Sequence, residues 1–415
     1  MPMLRIALVL ALAVLSALLA GPGNAADRAA VERQFRGWLE KTAWPDARRA
    51  GVSRATFDEA TRGLSLDWGL PGLVPPGSAP PQANYQAEFR SPAGYFAEKN
   101  IGPVVNSGAR LMREWSKTLA KAEGAYGVPA SVIVAIWGRE SGFGRVALPK
   151  DGVRTLATKA FMSDRPALFY PEFIAALQMI ERDHITRAAM KSSWAGALGQ
   201  PQFMPTKYLG FAVDFDGDGR RDIWNSAPDT LGSIGYYLKA HGWQAGARWG
   251  VEVALPDAVS CTLEGPEKGR PMAAWMRDGV KPVSGGSLAD KALGPTGYLM
   301  MPAGRFGPAF IVSWNFYVLK LYNESDLYAS FVGHAADRMA GRESGPFKAG
   351  WRQPEGFTRG DVRRMQLRFE KRGVDVGGAD GLVGFKTRIA IGEWQRANGL
   401  PVTCYPDRRA VDRAG

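Results

Sequence analysis

The stretch Val132-Ile133-Val134-Ala135-Ile136-Trp137-Gly138-Arg139-Glu140-Ser141-Gly142-Phe143-Gly144-Arg145 decides how the rest of the chain is read. Its first half is almost wholly apolar, and Pro129 before it suits a first helical turn, so a buried helix is predicted here. Glu140 follows Trp137, Ile136 and Ile133 at offsets of three, four and seven residues. Those offsets place a carboxylate on the apolar face. Gly142 and Gly144 then end the helix and leave that carboxylate at a mouth rather than in mid-core. Desolvation raises a carboxyl pKa, and a raised carboxyl is what a general acid needs near neutral pH. The plainer alternative is a helix-end Glu paired with Arg139 or Arg145.

The flanking sequence predicts more helix. Segments 29–64, 106–126, 166–185, 229–241 and 315–340 carry apolar residues at helical spacing. Residues 69–82, with Pro75-Pro76-Gly77 and Pro80-Pro81, read as a loop. Between 249 and 302 the pattern turns mixed, with strand-like pieces at Val251–Leu255 and Tyr298–Met301. The expected organisation is a mostly α domain over 26–345, a Gly/Pro-containing linker over 346–356, and a small helical module over 357–415. Residues 1–25 read as a signal peptide: Arg5, an apolar run from Ile6 to Ala20, and small residues Gly23 and Ala25 before the expected cleavage point. The run is shorter than the ~20 residues that span a bilayer. The expected product is therefore an exported, periplasmic protein without a stable membrane anchor. With 415 residues and 46% hydrophobic content the chain can build sizeable cores, which excludes a largely disordered protein. Two Cys and three His argue against a Cys/His metal centre or a redox motif. The net charge of +12 suggests an anionic partner, and export points away from nucleic acid.

Two further stretches carry chemistry. Asp214-Phe215-Asp216-Gly217-Asp218-Gly219-Arg220 alternates hard oxygen ligands as the start of a calcium loop does. Its twelfth position is Asn225 rather than the usual Glu, and Asp229 is the candidate replacement. The candidate ligands are Asp214, Asp216, Asp218, the carbonyl of Arg220, and Asp229. An Asp/Gly turn without metal is the alternative. The second stretch, Ser193-Trp194-Ala195-Gly196-Ala197-Leu198-Gly199-Gln200-Pro201-Gln202-Phe203-Met204-Pro205, combines glycines with amides and apolar faces suited to a saccharide. Tyr236, Tyr237, Tyr322, Asn323 and Tyr328 extend that set, although each alone is as readily a packing residue.

Taken together, these blocks resemble the lytic murein transglycosylase B family, over about residues 30–340. The resemblance implies a lysozyme-like, α-rich catalytic domain with an EF-hand-like structural Ca2+ site and no organic cofactor. It implies Glu140 as the catalytic acid/base. It implies a glycan cleft lined by Ser193, Gln202, Phe203, Met204, Tyr237, Tyr322, Asn323 and Tyr328, with Tyr95 and Arg165 as further matches. From Arg359 onward, Gly373-Val374-Asp375, Asp380-Gly381, Thr387, Ala390-Ile391 and Trp394-Gln395 resemble the three-helix peptidoglycan-binding domain. The implied activity is cleavage of the MurNAc-β-1,4-GlcNAc bond to 1,6-anhydromuramoyl products. A hydrolytic muramidase and a non-catalytic wall-binding protein are the rival readings. Implied partners are peptidoglycan strands and, as candidates, cell-wall synthesis or division proteins. An oxidising periplasm also permits a disulfide between Cys261 and Cys404; the sequence leaves its formation open.

Overall fold

A computed structural model describes residues 22–78, 92–352 and 354–415. Nearly all of the expected signal peptide, and the Pro80-Pro81 end of the expected loop, lie outside the described residues. The chain divides into two packing units. One takes the described residues up to 78 together with 147–210; the other takes the described residues from 92 to 146 and from 211 to 415.

The first unit is helical. Helix Pro22–Trp38 runs through a single π turn, Leu39–Ala43, into Trp44–Arg49. Arg54–Thr61, Gly152–Met162 and Pro166–Glu181 complete the frame. Trp38 stacks on Phe35 and Phe173 and meets Phe161 at a tilt, so one aromatic cluster joins three helices. Ser53 caps helix Arg54–Thr61 by accepting the N–H of Thr56, and its own N–H and hydroxyl both donate to Glu181.

The second unit is built around helix Ala130–Ser141. Residues 131–138 are all buried, with Ile133, Val134 and Ile136 fully inaccessible. Each such side chain contributes about 1.5–3 kcal/mol by leaving water. Helices Glu98–Glu114, Ala227–Ala240 and Asp326–Met339 pack against it. The expected long helix over 106–126 starts earlier, at Glu98, and breaks at Trp115, whose φ of −96° and ψ of 20° leave the helical region. The expected helix over 315–340 is likewise two, Trp314–Asn323 and Asp326–Met339. Glu324 takes the left-handed conformation, φ 52°, and the Ser325 side chain accepts the N–H of Tyr328 to start the second helix. This break places Tyr328 in a first helical turn.

Strands Arg270–Pro271, Thr296–Met300, Ala309–Val312, Gly250–Ala254 and Lys281–Pro282, in that spatial order, form an antiparallel sheet. One face buries Val251, Trp275, Leu299 and Ile311. Helices Arg359–Lys371, Phe385–Ala397 and Arg408–Arg413 follow, with a core of Val362, Met365, Phe369, Ile391 and Val411. Cys261 and Cys404 are bonded, with an S–S distance of 2.09 Å, and Cys404 sits in the core of the sheet rather than in that of the helices. The disulfide left open by the sequence is thus formed within this unit.

Candidate active site

Glu140 lies in the last turn of helix Ala130–Ser141, half-buried. The chain beyond it turns sharply. Gly142, Phe143 and Gly144 all have positive φ (57°, 65° and 76°), and the N–H groups of Gly142 and Phe143 return to the carbonyls of Gly138 and Trp137. Phe143, a non-glycine in this region, is held by an edge-on contact with Trp137 at 5.4 Å. It folds over Gly138, where an added Cβ would meet the Phe143 ring at 2.5 Å. Gly138 is thus required so that the turn can close beneath Glu140.

The hydroxyl of Tyr328 donates to Glu140 Oε1 at 2.5 Å. Tyr322 stacks on Tyr328 with ring centres 6.2 Å apart, and Tyr237 meets Tyr322 edge-on at 5.0 Å. The three tyrosines are buried. Burial first, and the nearby charge of Glu140 second, raise the phenols of Tyr322 and Tyr328 well above their ordinary value. Burial pushes Tyr237 up to about 12, and its hydroxyl donates to the carbonyl of Leu321. All three therefore stay protonated across the physiological range, and Tyr328 remains a donor. Asn323, at the end of its helix, is exposed.

Tyr95 is buried, and its hydroxyl accepts from Arg139 at 2.9 Å. The Arg139 guanidinium also lies over the rings of Tyr95 and Phe331. Sequence reasoning offered Arg139 only as a salt-bridge partner for Glu140. Its stacking between two aromatic rings has no local signature, because Tyr95 and Phe331 are distant in the chain.

The remaining expected saccharide residues lie in the other packing unit. The Ser193 hydroxyl accepts the N–H groups of Ala195 and Ala197, which folds the glycine-rich loop on itself. Gln202 has φ 53°, and its side-chain amide donates to Gly199. Met204 is half-buried and Arg165 exposed. Phe203 has no accessible surface, while its neighbours Gln202 and Met204 are half-buried. Trp194, by contrast, is 56% exposed, with the ammonium of Lys159 5.1 Å from its ring centre.

The aspartate loop closes on itself. Asp214 accepts the N–H groups of Gly217 and Gly219, and Gly219 has φ 89°. Asp229, fully buried at the start of helix Ala227–Ala240, accepts those of Phe215, Asp216 and Asp222. Burial raises the Asp229 carboxyl despite these bonds. Carboxylate oxygens of Asp214, Asp216 and Asp229 converge within 4.8 Å of one another. Asp218 is not among them; its Oδ1 accepts the N–H of Arg220. Asn225 turns its amide to Asp222. Oxygens on opposite sides of a Ca2+ bound at about 2.3–2.6 Å stand roughly 5 Å apart, so the convergent set fits that ion.

Comparison with known proteins places the chain in a glycan-cleaving class of enzyme. The Transglycosylase SLT domain matches residues 34–337, and the Putative peptidoglycan binding domain matches residues 358–413. Crystal structures of SltB3 from Pseudomonas aeruginosa are similar over 91% of this chain. The complex with NAG-NAM-pentapeptide gives a TM-score of 0.80 at 36% identity, covering 99% of that chain. The complex with NAG-anhNAM-pentapeptide gives 0.77 at 35% identity, covering 98%. Membrane-bound lytic murein transglycosylase B of Escherichia coli (strain K12) is 30% identical over 251 residues, which are 59% of this chain and 66% of that protein. The chain belongs to the transglycosylase SLT-domain family of peptidoglycan lytic transglycosylases, with the lysozyme-like helical fold of that family and a C-terminal helical module.

Proposed function

We propose that the chain cleaves the MurNAc-β-1,4-GlcNAc bond of peptidoglycan without water, with Glu140 acting first as acid and then as base. The observation that carries this reading is the Tyr328 hydroxyl on Glu140 Oε1 at the end of a buried helix. Protonated Glu140 gives its proton to the bridging oxygen, and the bond to the muramoyl C1 breaks. Substrate or site dipoles stabilise the positive charge that develops on the sugar. The hydrogen bond from Tyr328 stabilises the carboxylate that remains. That carboxylate takes the proton of the muramoyl C6 hydroxyl, whose oxygen closes on C1 to give the 1,6-anhydro product and restore the acid. An ordinary glycosidase pair uses two carboxylates and water; here one carboxylate serves both transfers because the nucleophile belongs to the substrate. The anhydro ligand in one SltB3 complex supports that outcome. Mass spectrometry of material released from purified sacculi tests it. Muropeptides lighter by one water than their reducing counterparts, and resistant to borohydride, are expected; reducing ends as the main product would assign a hydrolytic muramidase instead.

Ser193, Gln202, Met204, Tyr95, Tyr237, Tyr322, Asn323 and Arg165 are assigned to glycan binding, together with exposed Trp194. Asp214, Asp216 and Asp229 hold a structural Ca2+, with Asp218 and the Arg220 carbonyl as the remaining assigned ligands. When bound, the ion neutralises the converging carboxylates and pins the loop. Chelation should lower the thermal midpoint of the wild-type protein and leave Asp214→Ala unchanged; equal responses, or none, would remove the ion from the reading. The C-terminal module is assigned to peptidoglycan contact, in the periplasm. Among the described residues, no single helix is long and apolar enough to cross a membrane.

A further inference from the structure

The family to which the C-terminal module belongs suggests wall contact, a task for exposed residues. One of its side chains does something else. Arg388, in helix Phe385–Ala397, is 1% exposed. Its Nε and Nη2 donate to the two carboxylate oxygens of Glu264 at 2.8 and 2.5 Å. Nη2 also donates to Asp326 at 2.7 Å, and Nη1 donates to the carbonyl of Val383. Glu264 is equally buried and accepts the N–H of Met301 from the sheet. Asp326 takes a second cation, Lys320, at 2.7 Å, and the Lys320 ammonium lies over the ring of Phe385, again from the module.

Asp326 is the first residue of helix Asp326–Met339. Two residues later comes Tyr328, whose N–H is held by the cap Ser325 and whose hydroxyl reaches Glu140. A continuous set of bonded groups therefore runs from the module, through Arg388 and Asp326, to the first turn that aims Tyr328. A bidentate guanidinium fixes direction as well as distance, which a lysine cannot. A buried ion triad is a poor way to gain stability, because desolvation consumes most of its Coulombic gain. Its effect here is to define where one helix begins.

We infer that Arg388 is a positioning residue: from within the C-terminal module it fixes the start of the helix that presents Tyr328, and so sets the hydrogen bond on Glu140. The inference rests on Glu140 as the acid/base. It makes the module part of the catalytic apparatus as well as a wall contact.

A double-mutant cycle in the full chain tests it, using Arg388→Met and Tyr328→Phe with kcat and KM measured on solubilised glycan. Each single variant is expected to lower kcat about tenfold with KM little changed, and the double variant to lose no more than Tyr328→Phe alone. Arg388→Met should bind sacculi as the wild type does. Multiplicative losses in the double variant, or weakened sacculus binding with kcat intact, would overturn the inference. If circular dichroism shows Arg388→Met unfolded, Asp326→Asn replaces it in the same cycle, since it keeps shape and an acceptor oxygen while removing the charge. Glu140→Gln is run alongside. Turnover retained there removes the acid/base reading; an inactive Glu140→Gln with an additive cycle removes only the role of Arg388.

Discussion

Glu140→Gln is expected to abolish release of soluble muropeptides from sacculi, with a loss of at least about 10³-fold, while the protein remains folded. One positioned acid or base is worth roughly 10²–10⁴-fold, and in the proposed reaction the same group performs both proton transfers. Glutamine matches glutamate in size and keeps a carbonyl oxygen that can accept from Tyr328. The substitution introduces no charge at this half-buried position, so no desolvation cost is added. The comparison is therefore one of proton chemistry at constant packing. Matched circular dichroism and sacculus binding would establish that constancy. Residual activity within tenfold of wild type would move the acid/base to another group.

Glu264→Ala is expected to be the most destabilising single change discussed here, by about 3–5 kcal/mol, because it removes one partner of a buried ion pair. Arg388 would retain Asp326, while the N–H of Met301 would lose its acceptor. In the wild-type protein, burial alone would lower the Arg388 pKa, but Glu264 and Asp326 outweigh it and raise it. Burial alone would raise the Asp326 carboxyl, but Arg388 and Lys320 outweigh it and hold it below its ordinary value. A carboxyl depressed on folding contributes stability above its unfolded pKa of about 4 and loses that contribution as pH falls through the folded value. Urea unfolding of wild type and Glu264→Ala at neutral pH and at successively lower pH measures both effects. Asp326 is present in both proteins, so both should lose its contribution in acid. A neutral-pH difference below about 1 kcal/mol would show that the triad contributes little to holding the unit together.

The central helix and the place of its carboxylate were legible because one spacing sets both. The offsets that bury Ile133, Ile136 and Trp137 also bring Glu140 to the mouth, and the glycines after it mark the turn. The aspartate loop was legible for a similar reason, since alternating carboxylates and a left-handed glycine are local features. Tyr328 was readable as one of an aromatic set, but its contact with Glu140 was not, because that partner lies 188 residues away. Phe203 is fully buried, and a ring in a glycine-rich loop reads equally well as a sugar platform or as core. The break at Trp115 was hidden by apolar residues that keep helical spacing on both sides of it. Arg388 was invisible for a different reason. An arginine in a helix is ordinarily solvated, and only its placement three and seven residues before buried Ile391 and Gln395 hints at an inward face.

Cys404 and Val402 pack into the core of the sheet, and Gly304 can have no side chain because the backbone of Thr403 runs against it. The segment recognisable as a wall-binding domain in sequence is therefore not the segment that could be exchanged between proteins. A graft of residues 357–415 onto another catalytic domain would arrive without the half of the disulfide, the glycine and the carboxylates that receive it.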